Sequence, residues 1–291
     1  MTRAELLSQI LQKRSYLCTG LDTQIEKLPQ GISRDLRGMV EFNQRIVEAT
    51  ADHSVAYKIN TAFYEQYGAA GWSAMEETLA HLPTDTFRIA DAKRGDIGNT
   101  SSMYAKAFFD TLPFDAVTVA PYMGEDSLRP FLEFPNKWVI CLALTSNAGH
   151  ADFQLGDYEG KKLYERVIET VCKWGNPDQL MFVVGATRAS LVSDIRALIP
   201  EHYLLVPGVG AQGGSLHEIS KAGFIVGAQE SAAADVAAEA STTPEGGGTA
   251  NPGMLVNSSR GILYASSGED FAQAARREAA ALAAEMDELL K

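Results

Sequence analysis

The segment Asp91-Ala92-Lys93-Arg94-Gly95-Asp96 places a carboxylate on either side of one lysine. Residues two apart on a strand share a face, so Asp91 and Lys93 are expected side by side. Taken alone, they fit an ion pair at a strand end as well as they fit catalysis. Asp96 either adds a second carboxylate beside the lysine or caps a helix beginning near Gly98. Nearby negative charge favours an ammonium over a neutral amine. That suits a cationic proton donor facing a developing carbanion. It does not suit a Schiff-base lysine, which must lose its proton, so class I aldolase chemistry is disfavoured.

Other polar residues follow apolar runs in the same way: Asp22 after Leu21, Lys58 and Asn60, Thr145-Ser146-Asn147, and Asn257-Ser258-Ser259-Arg260-Gly261. Gly208 to Gly213 spells G-x-G-x-x-G. It lies late in the chain before a short helix, a poor context for a dinucleotide fingerprint. Exposed backbone N–H groups cradling a phosphate fit better, although plain turn chemistry also accounts for the glycines. Arg260 then offers a forked cation to phosphate oxygens.

The elements that must position these groups alternate. Strand candidates are Tyr16–Leu21, Val55–Ile59, Phe87–Ala92, Ala116–Ala120, Trp138–Leu144, Leu180–Val184, Tyr203–Val206 and Met254–Asn257. Helical periods separate them, for example Leu163, Val167, Ile168, Val171 and Trp174, and at the end Phe271, Ala275, Leu282, Met286 and Leu289. Ser33 is expected to cap the helix after the first strand, and Pro83 and Pro200 to follow helix ends. Eight such units in 291 residues predict a (β/α)8 TIM barrel, with an open doubly wound sheet as the alternative. In a barrel the polar groups above gather at the C-terminal ends of the strands, where catalysis occurs in this fold. Residues 228–253, rich in Ala, Glu, Gly and Thr, read as an insertion before strand eight within one domain spanning 1–291.

A hydrophobic fraction of 46% supports a large core, and 25 basic against 37 acidic residues give a net charge of −12. Such a surface repels nucleic acid and anionic membranes. The apolar run at Trp138–Leu144 is too short to span a bilayer, and the first residues lack a signal-peptide core, so a cytoplasmic location is expected. Cys18, Cys141 and Cys172 form no C-x-x-C pair and are expected as reduced thiols. The five histidines show no zinc-ligand spacing.

Asp91 to Thr100, DAKRGDIGNT, resembles the D-x-K-x-x-D-I-x-x-T signature of the orotidine 5′-phosphate decarboxylases. GLD, YKIN, LTSN, PGVGAQGG and NSSRGI are similar too and occur in that family's order over nearly the whole chain. LTSN, GAQGG and SRGI resemble its longer-chain bacterial branch. The resemblance implies conversion of orotidine 5′-phosphate to UMP and carbon dioxide, the last step of de novo UMP synthesis, without a metal or other cofactor. It implies that Lys93 protonates C6 while Asp91 lies near the substrate carboxylate and holds Lys93. Asp22 and Lys58 contact the ribose and orient the charges, and Thr145 sits by the pyrimidine. Gln212 and Gly213 in the glycine loop, together with Arg260, hold the phosphate. Asp96 and Thr100 reach into the site of a second copy, making a homodimer with shared sites. Three rivals stand beside it. A metal-dependent sugar-phosphate decarboxylase or synthase shares the D-x-K-x-x-D strand but resembles a magnesium site with an acidic residue where Lys58 stands. The others are a non-catalytic phosphate-binding barrel and a Rossmann dehydrogenase.

Overall fold

The computed structural model describes residues 1–185, 188–208, 215–225 and 251–291. Eight parallel strands close into a barrel. They are β1 (Leu17–Gly20), β2 (Ser54–Asn60), β3 (Phe87–Arg94), β4 (Ala116–Val119), β5 (Trp138–Leu144), β6 (Leu180–Val184), β7 (Tyr203–Pro207) and β8 (Met254–Ser258). Each of the eight predicted runs is one of these strands. β1 pairs with both β2 and β8, so the sheet has no free edge and the open-sheet alternative falls. A short antiparallel hairpin, Asp157–Tyr158 with Lys161–Lys162, stands outside the barrel.

The strands are apolar because parallel barrel strands are covered on both faces; all five residues of β6 are buried. The outer layer is helical. In the helix Leu163–Val171, Ile168 and Val171 are buried and Val167 packs against the core, as the period predicts. The C-terminal helix Phe271–Leu289 buries Phe271, Ala275 and Met286. Phe271 stacks on Phe42 of the helix Leu36–Thr50, their ring centroids 5.0 Å apart. Among the described residues, no helix is long and apolar enough to cross a membrane.

Two sequence expectations shift. The helix Leu36–Thr50 is capped by Asp35, whose carboxylate accepts the N–H of Gly38 at 2.8 Å. Ser33 lies two residues too early and instead donates its hydroxyl to Asp35 at 2.9 Å. Of the expected insertion, residues 228–250 lie outside the described residues. Its last three residues belong to the framework: the Asn251 carbonyl accepts the N–H of Ile225 at 3.2 Å, and the Gly253 carbonyl accepts that of Leu204 at 2.9 Å. These contacts lie at the N-terminal end of β8, opposite the strand ends that carry the polar motifs.

Candidate active site

Side chains on β2 and β3 and just after β1 form a chain of alternating charge. Lys58 is only 4% exposed. Its Nζ lies 3.5 Å from Asp22 Oδ1 and 3.1 Å from Asp91 Oδ2. The other oxygen, Asp91 Oδ1, accepts Lys93 Nζ at 2.6 Å. The order is therefore Asp22, Lys58, Asp91, Lys93, with the first three largely buried and the Lys93 side chain 51% exposed at the mouth. Burial alone would lower the pKa of Lys58, but Asp22 and Asp91 outweigh it and raise the value above the ordinary lysine range. Burial likewise pushes Asp91 up, yet Lys58 and Lys93 prevail and hold it down at about 2. A buried ammonium and a buried carboxylate therefore persist because each neutralises the other.

Asp91 and Lys93 do meet, though not by simple strand alternation. β3 pairs Ile89 with Ala116 and Ala90 with Val117, but then Arg94 with Val119. Asp91, Ala92 and Lys93 thus face the single residue Thr118, and Lys93 adopts a left-handed φ of 46°. Such a bulge re-aims side chains at a sheet end, and the left-handed backbone costs about 1 kcal/mol for a residue with a Cβ. The next residue, Arg94, is anchored by an ion pair with Glu65 and lies over the rings of Tyr104 and Phe108.

Asp96 does not cap the following helix. The helix Gly98–Lys106 has Ile97 at its N-cap with no side-chain cap, and Asp96 Oδ1 accepts the N–H of Ile97 at 2.8 Å. Asp96 stands one residue before the N-cap, and its carboxylate is taken by the N–H of the cap residue instead of one in the first turn. Thr100 is exposed on that helix. Among the described residues neither forms a hydrogen bond or ion pair with Lys93, whose partners are Asp91 and Thr118. Ile97, Met103 and Tyr104 of the same segment are exposed apolar side chains, as are Tyr122 and Met123 after β4.

Thr145 lies at the end of β5, where Gln154 clasps it. The Thr145 N–H donates to Gln154 Oε1 at 2.8 Å, and Gln154 Nε2 donates to Thr145 Oγ1 at 2.9 Å. Gln212 and Gly213 lie outside the described residues. The residue that leads into their loop, Gly208, has φ of +86° and donates its N–H to the Asn257 carbonyl at 3.3 Å. The loop therefore starts against β8, just below Arg260, whose exposed side chain opens the short helix Arg260–Leu263. Gly20 permits this closeness between β1 and β8: a Cβ there would lie 1.9 Å from Ser259 Oγ.

Thr118 and Gln154 carry no sequence signal. A threonine within Ala-Val-Thr-Val is an ordinary strand former, and Gln154 sits in a loop with no period. The described part of the site thus offers a fixed ammonium at a barrel mouth, backed by buried counter-charges, with a cation after β8 on the far side.

The family model for the "Orotidine 5′-phosphate decarboxylase / HUMPS family" matches residues 15–238. The orotidine 5′-phosphate decarboxylase of Flavobacterium johnsoniae is 50% identical over an alignment covering 100% of this chain and 98% of the relative. Among solved structures, Leishmania donovani OMP decarboxylase superposes with a TM-score of 0.76 at 34% identity, covering 97% of this chain and 99% of that one. Leishmania donovani UMP synthase gives the same TM-score of 0.76 at 36% identity, but there the match spans only 57% of the other chain.

Proposed function

Because the chain belongs to the orotidine 5′-phosphate decarboxylase / HUMPS family, we propose that it is a carboxy-lyase converting orotidine 5′-phosphate to UMP and carbon dioxide. The observation that carries this reading is the charge chain ending in the Lys93 ammonium, 2.6 Å from Asp91. In the reaction the bond from C6 to the carboxylate breaks and its electron pair remains on C6. Lys93 stabilises that charge as it develops and donates a proton to C6; carbon dioxide departs, and solvent reprotonates the amine. Asp91 holds Lys93 and stands near the departing carboxylate. Lys58 keeps Asp91 ionised and, with Asp22, orients the network against the ribose. Thr145 faces the pyrimidine. Gln212, Gly213 and Arg260 take the phosphate, whose binding energy helps fix the reacting end.

The metal-dependent branch would need an acidic side chain where Lys58 stands. The Lys58 ammonium instead sits between Asp22 and Asp91 and already compensates both. A divalent cation added beside this ammonium is unfavourable, so we assign no metal or other cofactor to the reaction. We further assign a homodimer in which Asp96 and Thr100 enter the partner's site. Exposed apolar side chains on the same segment, Ile97, Met103 and Tyr104, support this, since exposed apolar surface is characteristic of protein contacts. The chain acts as one catalytic barrel, and the insertion expected at 228–253 ends before Asn251. The net charge of −12 makes nucleic acid and anionic membrane unsuitable partners and suits a cytoplasmic enzyme.

The test is to add orotidine 5′-phosphate to the purified protein, with and without a strong chelator, and follow the loss of its ultraviolet absorbance. Equal turnover in both is expected. Binding without turnover would make the protein a phosphate-ligand barrel, and turnover lost to chelation and restored by magnesium would establish the metal-dependent branch.

A further inference from the structure

We propose that Thr118 is a positioning residue, its hydroxyl holding the Asp91–Lys93 pair in reacting geometry; this rests on the decarboxylase reading above. The observation begins with the β3–β4 ladder. Its regular pairing stops after Ala90 with Val117 and resumes at Arg94 with Val119, so three residues of β3 oppose Thr118 alone. A bulge of this size leaves backbone groups without their ladder partners. The Thr118 side chain supplies the missing one: Oγ1 accepts the N–H of Lys93 at 2.8 Å. The same oxygen donates to Asp91 Oδ1 at 3.0 Å.

The direction of both bonds is fixed by chemistry. A backbone N–H only donates, and an ionised carboxylate only accepts. The single hydroxyl proton therefore points at Asp91, giving a relay from the Lys93 amide through Thr118 to the carboxylate. Thr118 is 1% exposed and β-branched, which restricts its χ1 and keeps the hydroxyl from turning away. It thus ties the main chain of Lys93, held at φ of 46°, to the side chain that receives Lys93 Nζ. Without the hydroxyl, the part-buried Lys93 N–H loses its partner, the left-handed turn loses its compensation, and Asp91 loses a donor on the oxygen that holds the ammonium.

The experiment compares Thr118→Val, which keeps the shape and loses the hydroxyl, with Thr118→Ser, which keeps the hydroxyl. Steady-state kinetics with orotidine 5′-phosphate, UMP binding, and amide hydrogen exchange at Lys93 by NMR are measured on each. The expected result for Thr118→Val is a kcat at least tenfold lower with KM and UMP affinity within about twofold, and faster exchange at the Lys93 amide. Thr118→Ser should restore kcat and protection most of the way. Unchanged kcat in Thr118→Val, or equal losses in the Val and Ser variants, overturns the proposal, because packing and not the hydroxyl would then matter. The exchange measurement stands apart from the substrate and from the variants' folding: an unprotected Lys93 amide in the wild-type protein overturns the relay by itself. A wild-type protein that does not turn over orotidine 5′-phosphate defeats the decarboxylase reading instead. In that case protection at Lys93, and its loss in Thr118→Val, still decides whether Thr118 holds the pair.

Discussion

Lys58 and Arg196 are both buried cations, one at the C-terminal end of the barrel and one near its base, and their partners differ in kind. Lys58 is flanked by two carboxylates, Asp22 and Asp91. Among the described residues Arg196 donates to main-chain carbonyls alone, those of Gly223 at 2.7 Å, Ile199 at 2.9 Å, His202 at 2.6 Å and Gly253 at 2.9 Å. Burial therefore pulls Arg196 down to about 10, whereas carboxylates lift Lys58. Carbonyls turn a cation into a staple: Arg196 joins the helix Ala189–Leu198, the approach to β7 and the entry to β8. Carboxylates turn a cation into one link of a charge chain whose last member, Lys93, is the proposed proton donor. Burial alone does not separate structural from catalytic charge; the charge of the neighbours does.

Substitution at the two ends should separate the two kinds. The largest effect is expected from Lys93→Ala, which removes the proposed proton donor: kcat should fall by about 10³-fold or more. UMP binding should largely persist, since phosphate and ribose contacts come from other strands. Near-normal kcat in this variant would end the distinction. Arg196→Met should do the reverse. It strips the carbonyls of Gly223, Ile199 and His202 of this donor, while Gly253 keeps the N–H of Leu204, and should cost about 3 kcal/mol in denaturant unfolding, with kcat per folded molecule near wild type. A stable Arg196→Met protein would show that the staple is idle.

His202 sharpens the contrast at the base. Burial, then Arg3 and Arg196, push its pKa down to about 4, and its Nδ1 is buried with no partner among the described residues. The unfolded chain takes up this proton near pH 6.5 and the folded one only near 4. Its contribution is therefore complete above pH 6.5 and lost as pH falls from about 6.5 to 4. This amounts to about 3 kcal/mol. Asp91, held at about 2, behaves in the carboxylate sense. Its contribution is full above the unfolded value of about 3.9 and is lost as pH falls from there toward 2. A His202→Phe variant should lose the upper limb of the acid unfolding profile and keep the lower; an unchanged upper limb contradicts the assignment. The smallest effect is expected at Arg260. Arg260→Ala should weaken orotidine 5′-phosphate roughly 10- to 100-fold and orotidine hardly at all. Equal weakening of both ligands would remove it from the phosphate.

Much of this architecture is legible in the sequence. The eight strands are legible because parallel barrel strands are short continuous apolar runs, and the polar residues that end them mark the mouth. Asp91 and Lys93 are legible because their spacing suggests one shared face, although a bulge and not strand alternation brings them together. Thr118 is hidden because its role depends on a register break that no local pattern announces. Arg196 is hidden because carbonyl partners leave no trace in side-chain type. Ser33 misleads for a simpler reason: Asp35 stands closer to the helix start and takes the cap.

Completion of the charge chain by a second copy is tested most directly by mixing subunits. Lys93→Ala and Asp96→Ala homodimers should each be nearly inactive. After exchange, random reassortment makes roughly half the dimers mixed, each with one site carrying both Lys93 and Asp96. Activity should therefore return to about a quarter of wild type. If exchange is demonstrated and no activity returns, Asp96 serves its own subunit and the shared site is wrong.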